Sequence, residues 1–180
     1  MINVVASRYA EALFQIGEEE NSSNILYKEL NEVLDVINSS NELKKALRSP
    51  LVAKQEKKNL LNIVFSEQVS NNIKNFLKII VDKDRVVCLE DIRDSYKELI
   101  NEKNNILEGR AISAIAMSEN ELNELQTKLS SKYNKNVVLE NIVDETILGG
   151  VLVRLGNEEI DGTVKTRLSN LRDQLSQVIS

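Results

Sequence analysis

Between Ile2 and about Asn104, apolar residues recur at intervals of three and four, the spacing that puts side chains on one face of an α-helix. Six helices follow from this pattern. The first carries Val5, Tyr9, Ala12, Leu13 and Ile16, and the second Leu26, Leu30, Val33, Leu34 and Ile37. After a polar Asn38-Ser39-Ser40-Asn41 turn, a short third helix uses Leu43, Ala46 and Leu47. Ser49-Pro50 ends it, because the proline ring disfavours the α conformation of the residue before it and removes a backbone donor. The fourth helix uses Leu60, Leu61 and Val64, and the fifth, starting near Ser70, uses Ile73, Phe76, Leu77 and Ile80. Asp82-Lys83-Asp84 turns the chain into a sixth, with Leu89, Ile92, Tyr96, Leu99 and Ile100.

Two of these helices carry more apolar surface than one core readily buries. The fifth has Ile73, Leu77 and Ile80 on one stripe and Phe76 with Ile79 on another, and the first adds Ala6, Ala10 and Phe14 beside its main stripe. Either such helices are covered on all sides within a bundle, or their surplus faces form a groove for a partner helix.

Past Asn104-Asn105 the period changes. Gly109 to Ala116 is short, carries no charge beyond Arg110 and reads as a strand. Ser118-Glu119-Asn120-Glu121 is a capping-box sequence, followed by the helical stripe Leu122, Leu125 and Leu129. Asn134 suits the left-handed conformation that closes such a helix, and Asn136 to Leu139 begins a second strand. A third strand is Val151 to Leu155. A last helix carries Val164, Leu168, Leu171, Leu175 and Val178, a stripe that needs a sheet face or a partner helix to cover it. The expected architecture is mainly α: a six-helix N-terminal bundle over residues 1–105, then a small α+β domain over 106–180 in β-α-β-β-α order. A domain of about 75 residues is near the lower limit for an independent core, so it is expected to be the less stable or to lean on a partner.

Composition removes most chemistry. The 180 residues include no His and one Cys, which excludes a Ser-His-Asp triad, His-dependent metal sites and a thiolate zinc site, so no catalytic or metal-ligating set is assigned. Cys88, among Val86, Val87 and Leu89, reads as a packing residue. Gly149-Gly150 and Gly156 are not followed by the Lys and Ser or Thr of a phosphate-binding loop, so no nucleotide or other cofactor is expected. The carboxylate pairs Asp82/Asp84 and Glu158/Glu159 read as turn residues rather than acid/base pairs. With 28 acidic against 23 basic residues and 4% aromatics, no nucleic-acid surface is expected. The basic cluster Lys44, Lys45, Arg48, Lys54, Lys57 and Lys58 reads as a solvated helical face, with an anionic lipid surface as the alternative. No apolar stretch approaches the roughly 18 to 20 residues that span a bilayer, and the N-terminus lacks a signal-peptide profile, so the chain is expected to stay inside the cell.

Several spaced motifs resemble the delta subunit of bacterial ATP synthases and its mitochondrial relative, the oligomycin-sensitivity-conferring protein. Ala6-Ser7-Arg8-Tyr9-Ala10-Glu11-Ala12-Leu13 is similar to that family's opening, and Asn75-Phe76-Leu77 with Arg85 to a second segment. The C-terminal half supplies Val137, Leu139, Val143-Asp144, Ile147, Gly149-Gly150, Val151, Val153, Arg154, Gly156, Asp161-Gly162-Thr163 and Arg167-Leu168. Asn134 stands where the family commonly has glycine, and Thr163 where it usually has serine. The resemblance implies a non-catalytic stator connector. Its N-terminal domain would grip the N-terminal helix of an alpha subunit between the first and fifth helices, with Tyr9, Ala12, Leu13, Phe76 and Ile79 lining the groove. Its C-terminal domain would hold the C-terminal end of the b subunits. Arg8, Asp144, Gly149, Gly150, Arg154, Gly156 and Asp161 are signature positions with structural roles. The chain would then lie at the cytoplasmic face of the bacterial membrane, peripheral and attached only through the complex. Composition alone also permits a generic cytoplasmic helical adaptor.

Overall fold

Serine hydroxyls set where three of the helices begin. Ser40 Oγ accepts the Leu43 N–H at 3.3 Å, starting Asn41–Arg48 (α3), and Ser70 Oγ accepts the Ile73 N–H at 3.4 Å, starting Asn71–Asp82 (α5). Ser118 Oγ accepts the Glu121 N–H at 3.4 Å while the Glu121 carboxylate accepts the Ser118 N–H at 2.9 Å. This capping box starts Glu119–Tyr133 (α7), which ends on Asn134 in the left-handed region at φ 51°.

The computed structural model describes residues 4–65, 69–156 and 158–179, with side chains through residue 172. The chain divides into two compact units, Met1–Ile100 and Asn101–Ser180. The first holds Val4–Glu19 (α1), Ser23–Ser39 (α2), α3, Lys54–Val64 (α4), α5, a single 3-10 turn at Val86–Cys88, and most of Leu89–Lys103 (α6). Its core gathers Leu13, Leu30, Phe65, Ile73, Ile80 and Ile92, each 1% exposed or less.

Tyr96 closes this core. Its ring stacks on Tyr27 with centroids 6.3 Å apart and meets Phe14 edge-on at 5.7 Å, while its hydroxyl donates to the Ser23 carbonyl at 3.1 Å. Burial pushes the phenol up to about 12 from its ordinary 10.0. A pKa raised in the folded state gives stability that is complete below the unfolded value and is lost as pH climbs through the folded one. Between about pH 10 and 12 the chain should therefore lose stability, by at most about 3 kcal/mol, measured by denaturant titration at successive pH values. Tyr96→Phe should abolish that alkaline loss while costing about 1 kcal/mol at neutral pH, because the Ser23 carbonyl loses its donor.

The first helix rotates its faces relative to the sequence expectation. Ala6 and Ala10 are fully buried, Gly17 is also buried, and Ile16 is 41% exposed with Ala12 exposed and Tyr9 half-buried. The small side chains Ala6, Ala10 and Gly17 make much of the core contact, beside Leu13. Among the large residues of the expected stripe only Leu13, 1% exposed, points inward.

In the second unit, Ile106–Ser113 (β1) pairs in parallel with Asn136–Val143 (β2) and antiparallel with Val151–Leu155 (β3), which pairs antiparallel with Glu158–Asp161 (β4). The sheet order is β2-β1-β3-β4. α7 packs Leu122, Leu125 and Leu129 over Ala111, Val137, Leu139, Val153 and Leu155. Val164–Ile179 (α8) ends the described chain. Two corrections follow. β1 begins at Ile106, three residues ahead of the expected Gly109, and β4 adds a strand to the expected β-α-β-β-α order. Glu158 and Glu159 thus lie in a strand rather than a turn; Asn157, expected in that turn, lies outside the described residues.

Candidate partner-binding surfaces

α1 and α5 meet through side chains. The Tyr9 ring stands edge-on to Phe76, with centroids 6.5 Å apart and planes at 76°. Just past α1, Glu20 Oε2 accepts a hydrogen bond from Asn72 Nδ2 at 2.7 Å. α5 is also held from α2, where Glu29 Oε2 accepts both the N–H of Ser70 at 3.1 Å and its hydroxyl at 2.6 Å. Of the residues expected to line a groove, the structure brings Tyr9 and Phe76 into contact and leaves Ala12 and Ile79 exposed, Ile79 at 49%. Leu13 faces the core and is not available to a partner, and Phe76 is 7% exposed, so it underlies this surface rather than projecting from it. Ile16 is the residue that sequence reasoning missed. It lies one turn from Ala12 on the same stripe, and the burial of Ala6 and Ala10 turns it outward, 41% exposed. Arg8 is exposed on the same helix.

In the second unit the signature residues build the start of α8. Gly150, at φ 82°, passes so close to Gly162 that a Cβ would stand 2.4 Å from the Gly162 carbonyl oxygen and 2.9 Å from Thr163 Cα. Backbone hydrogen bonds from Gly162 N–H to Val151 O at 3.0 Å and from Val164 N–H to Gly149 O at 2.9 Å complete the crossing. The Asp161 carboxylate accepts the Thr166 hydroxyl at 2.6 Å and the Thr163 N–H at 2.8 Å, which together hold it below the usual carboxylate range. Thr163 Oγ1 accepts the Thr166 N–H at 3.4 Å, a helix cap made by the threonine in place of serine.

Asp144 and Arg154 do not pair with each other. Asp144 accepts the hydroxyl and N–H of Thr146 at 2.6 and 2.9 Å, while Arg154 Nε pairs with Glu159 across β3 and β4 at 2.8 Å. Gly156 turns between those strands at φ 56°. The helix so started leaves its apolar stripe uncovered: Val164, Leu168 and Leu171 are 40%, 58% and 55% exposed. Leu175 and Val178, expected to continue it, lie outside the described side chains. Near the same end of the sheet, Ile115 and Leu148 are also exposed.

The acidic groups that could have served acid/base work are engaged. Asp82 pairs with Lys58 at 2.6 Å, Asp84 with Lys54 at 2.6 Å, and the Tyr133 hydroxyl donates to Glu158 at 2.5 Å. Lys44 and Arg48 face Glu90 at 3.8 and 3.9 Å, so much of the basic cluster is matched by the chain's own carboxylates. Among the described residues no group of three or more His, Cys, Asp or Glu is placed to hold a metal ion, and no helix is long and apolar enough to cross a membrane.

Residues 5–175 match the family model of the ATP synthase delta (OSCP) subunit. The chain belongs to this family. ATP synthase subunit delta of Clostridioides difficile strain 630 is 65% identical over 181 residues, covering 100% of both chains. The subunit of the same name in Alkaliphilus metalliredigens strain QYMF is 42% identical, covering 99% of both. In fold, the chain is similar to one in the Toxoplasma gondii mitochondrial ATP synthase hexamer, with a TM-score of 0.69, 21% identity, and coverage of 94% of this chain and 96% of that one. As a member of the delta family it is a structural, non-catalytic subunit of the ATP synthase complex.

Proposed function

We propose that this delta-family chain is the stator connector that ties the catalytic head of an F-type ATP synthase to its peripheral stalk. In this reading the N-terminal helix of an alpha subunit lies along Tyr9, Ala12, Ile16 and Ile79, with Phe76 beneath. The C-terminal end of the b subunits docks on the second unit, over the stripe Val164, Leu168 and Leu171. The chain is thereby held at the cytoplasmic face of the membrane through the complex alone. The observation that supports it is one uncovered apolar helical surface in each unit, on α1 with α5 and on α8. Such faces are stable in water only at a cost that a partner helix removes.

Magnitudes favour two attachments. Burying Ile16 and Ile79 with one or two neighbours contributes about 1.5 to 3 kcal/mol each at most, against an association cost of about 4 to 15 kcal/mol. One groove alone is a modest binder. Anchoring at both ends raises the effective concentration at each and lets the pair of contacts resist torque. Titrating isotope-labelled chain with a peptide of the alpha N-terminus should move the resonances of Tyr9, Ala12, Ile16 and Ile79. Shifts confined to α2, α3 or α6 would place the site elsewhere.

A further inference from the structure

β2 is the outer strand of the order β2-β1-β3-β4, so among the described residues one row of its backbone groups has no strand beside it. Two donors of that row are nevertheless occupied. The Val137 N–H donates to Ser130 Oγ at 2.9 Å, and the Leu139 N–H donates to Gln126 Oε1 at 2.9 Å. Both acceptors come from α7. They are four residues apart, about 6 Å of helix rise, and two residues of strand cover about 6.6 Å. The turn at Asn134 brings the chain back antiparallel to the helix, so Ser130 meets the earlier strand residue and Gln126 the later one. The helix supplies acceptors at the repeat a neighbouring strand would use.

We infer that Gln126 and Ser130 hold closed a strand-addition edge on β2 whose occupant, once they are withdrawn, is a second copy of this chain. The edge is self-complementary. Two β2 strands laid antiparallel about Val138 bring Val137 opposite Leu139, so that the two donors now held by α7 can each meet a carbonyl of the other copy. The same register sets Glu140 opposite Asn136, so no like charges face each other. The eight residues of β2 include the apolar run Val137-Val138-Leu139 and one charge. The sheet's other edge needs no such cover, since β4 has four residues and three of them are carboxylates, Glu158, Glu159 and Asp161.

The test uses the full chain carrying Gln126→Met and Ser130→Ala. Methionine keeps the length of glutamine, and both replacements are good helix formers, so besides the two acceptors only the exposed donation from Gln126 Nε2 to Asn123 Oδ1 at 3.1 Å, within α7 itself, is lost. Amide exchange is followed at Val137 and Leu139, with mass by light scattering across a concentration series. At low concentration both amides should exchange about two- to tenfold faster than in the parent chain, the loss of one net hydrogen bond each. At high concentration a dimer should form and the same two amides should regain protection. Ser130→Ala alone should accelerate Val137 and spare Leu139, a selectivity that general loosening of the fold cannot imitate. Unchanged exchange at low concentration overturns the inference. So does a chain that stays monomeric throughout, or a dimer that leaves both amides unprotected.

Discussion

Ile79→Glu should weaken docking of an alpha-subunit N-terminal peptide by about 100-fold while changing the melting temperature by no more than a few degrees. Ile79 is 49% exposed on α5, so the free chain loses little packing when it is replaced, and glutamate is a good helix former. In the complex the balance reverses. The lost apolar contact is worth about 1 to 2 kcal/mol, and a carboxylate taken out of water without a partner adds at least about 1 to 3 kcal/mol. Together these span about 2 to 5 kcal/mol, bracketing the roughly 2.7 kcal/mol that a hundredfold change in affinity represents. Calorimetric titration of both chains with the same peptide measures the ratio. Leu51→Glu is the control: it alters a side chain that is 94% exposed in the loop between α3 and α4 and should bind as the parent chain does. Equal weakening by both substitutions would assign the effect to net charge and remove Ile79 from the contact.

The helical unit was largely legible because its information is local. Leu26, Leu30, Val33, Leu34 and Ile37 recur at helical spacing and are all buried, as are Ile73, Leu77 and Ile80 on α5. The turn chemistry was equally readable at Ser118, Glu121 and Asn134, whose roles are set by neighbours within a few residues. The outward face of α1 was misread for a reason that hydrophobicity cannot supply. Ala6, Ala10 and Gly17 offer less apolar area than Tyr9 and Ile16, yet their small size permits the close approach that a core contact needs. At Gly17 even an added Cβ would lie 2.9 Å from the Tyr96 hydroxyl.

The sheet was harder because strand identity depends on distant partners. The first three residues of β1, Ile106 to Glu108, lack the look of a strand start but pair with Asn136 to Val138 in register. Glu158-Glu159-Ile160-Asp161 has too many carboxylates for strand propensity, yet it lies against β3, where Arg154 matches Glu159. Of the candidate surfaces, the stripe on α8 could be counted from the sequence, but its exposure could not. Whether a sheet face covers such a stripe is decided by where Asp161, Gly150 and Thr163 aim the helix. Gln126 and Ser130 gave no signal at all, since polar residues on a helix ordinarily face water.

Gly109→Ala should cost the second unit about 2 to 4 kcal/mol and melt it ahead of the first. Gly109 lies in β1 between β2 and β3, opposite Leu139 on one side and Leu155 on the other. A Cβ there would stand 2.5 Å from the Arg154 carbonyl oxygen and 2.3 Å from Leu155 Cδ2. The leucine can turn aside, but the carbonyl belongs to the paired strand, so relief requires β1 and β3 to separate. Separation breaks their antiparallel ladder and opens the cluster of Ala111, Val153 and Leu155 beneath α7. A unit of this size has a total stability of only about 4 to 12 kcal/mol, so the loss is a large share of it. Amide exchange reads the outcome region by region. Protection at Ala111, Val137 and Val153 should collapse in the variant, while Leu30, Ile80 and Ile92 keep theirs, because the two units have separate cores. Loss of protection in both units to the same extent would mean that they unfold as one cooperative body, and the separation of their stabilities would have to be given up.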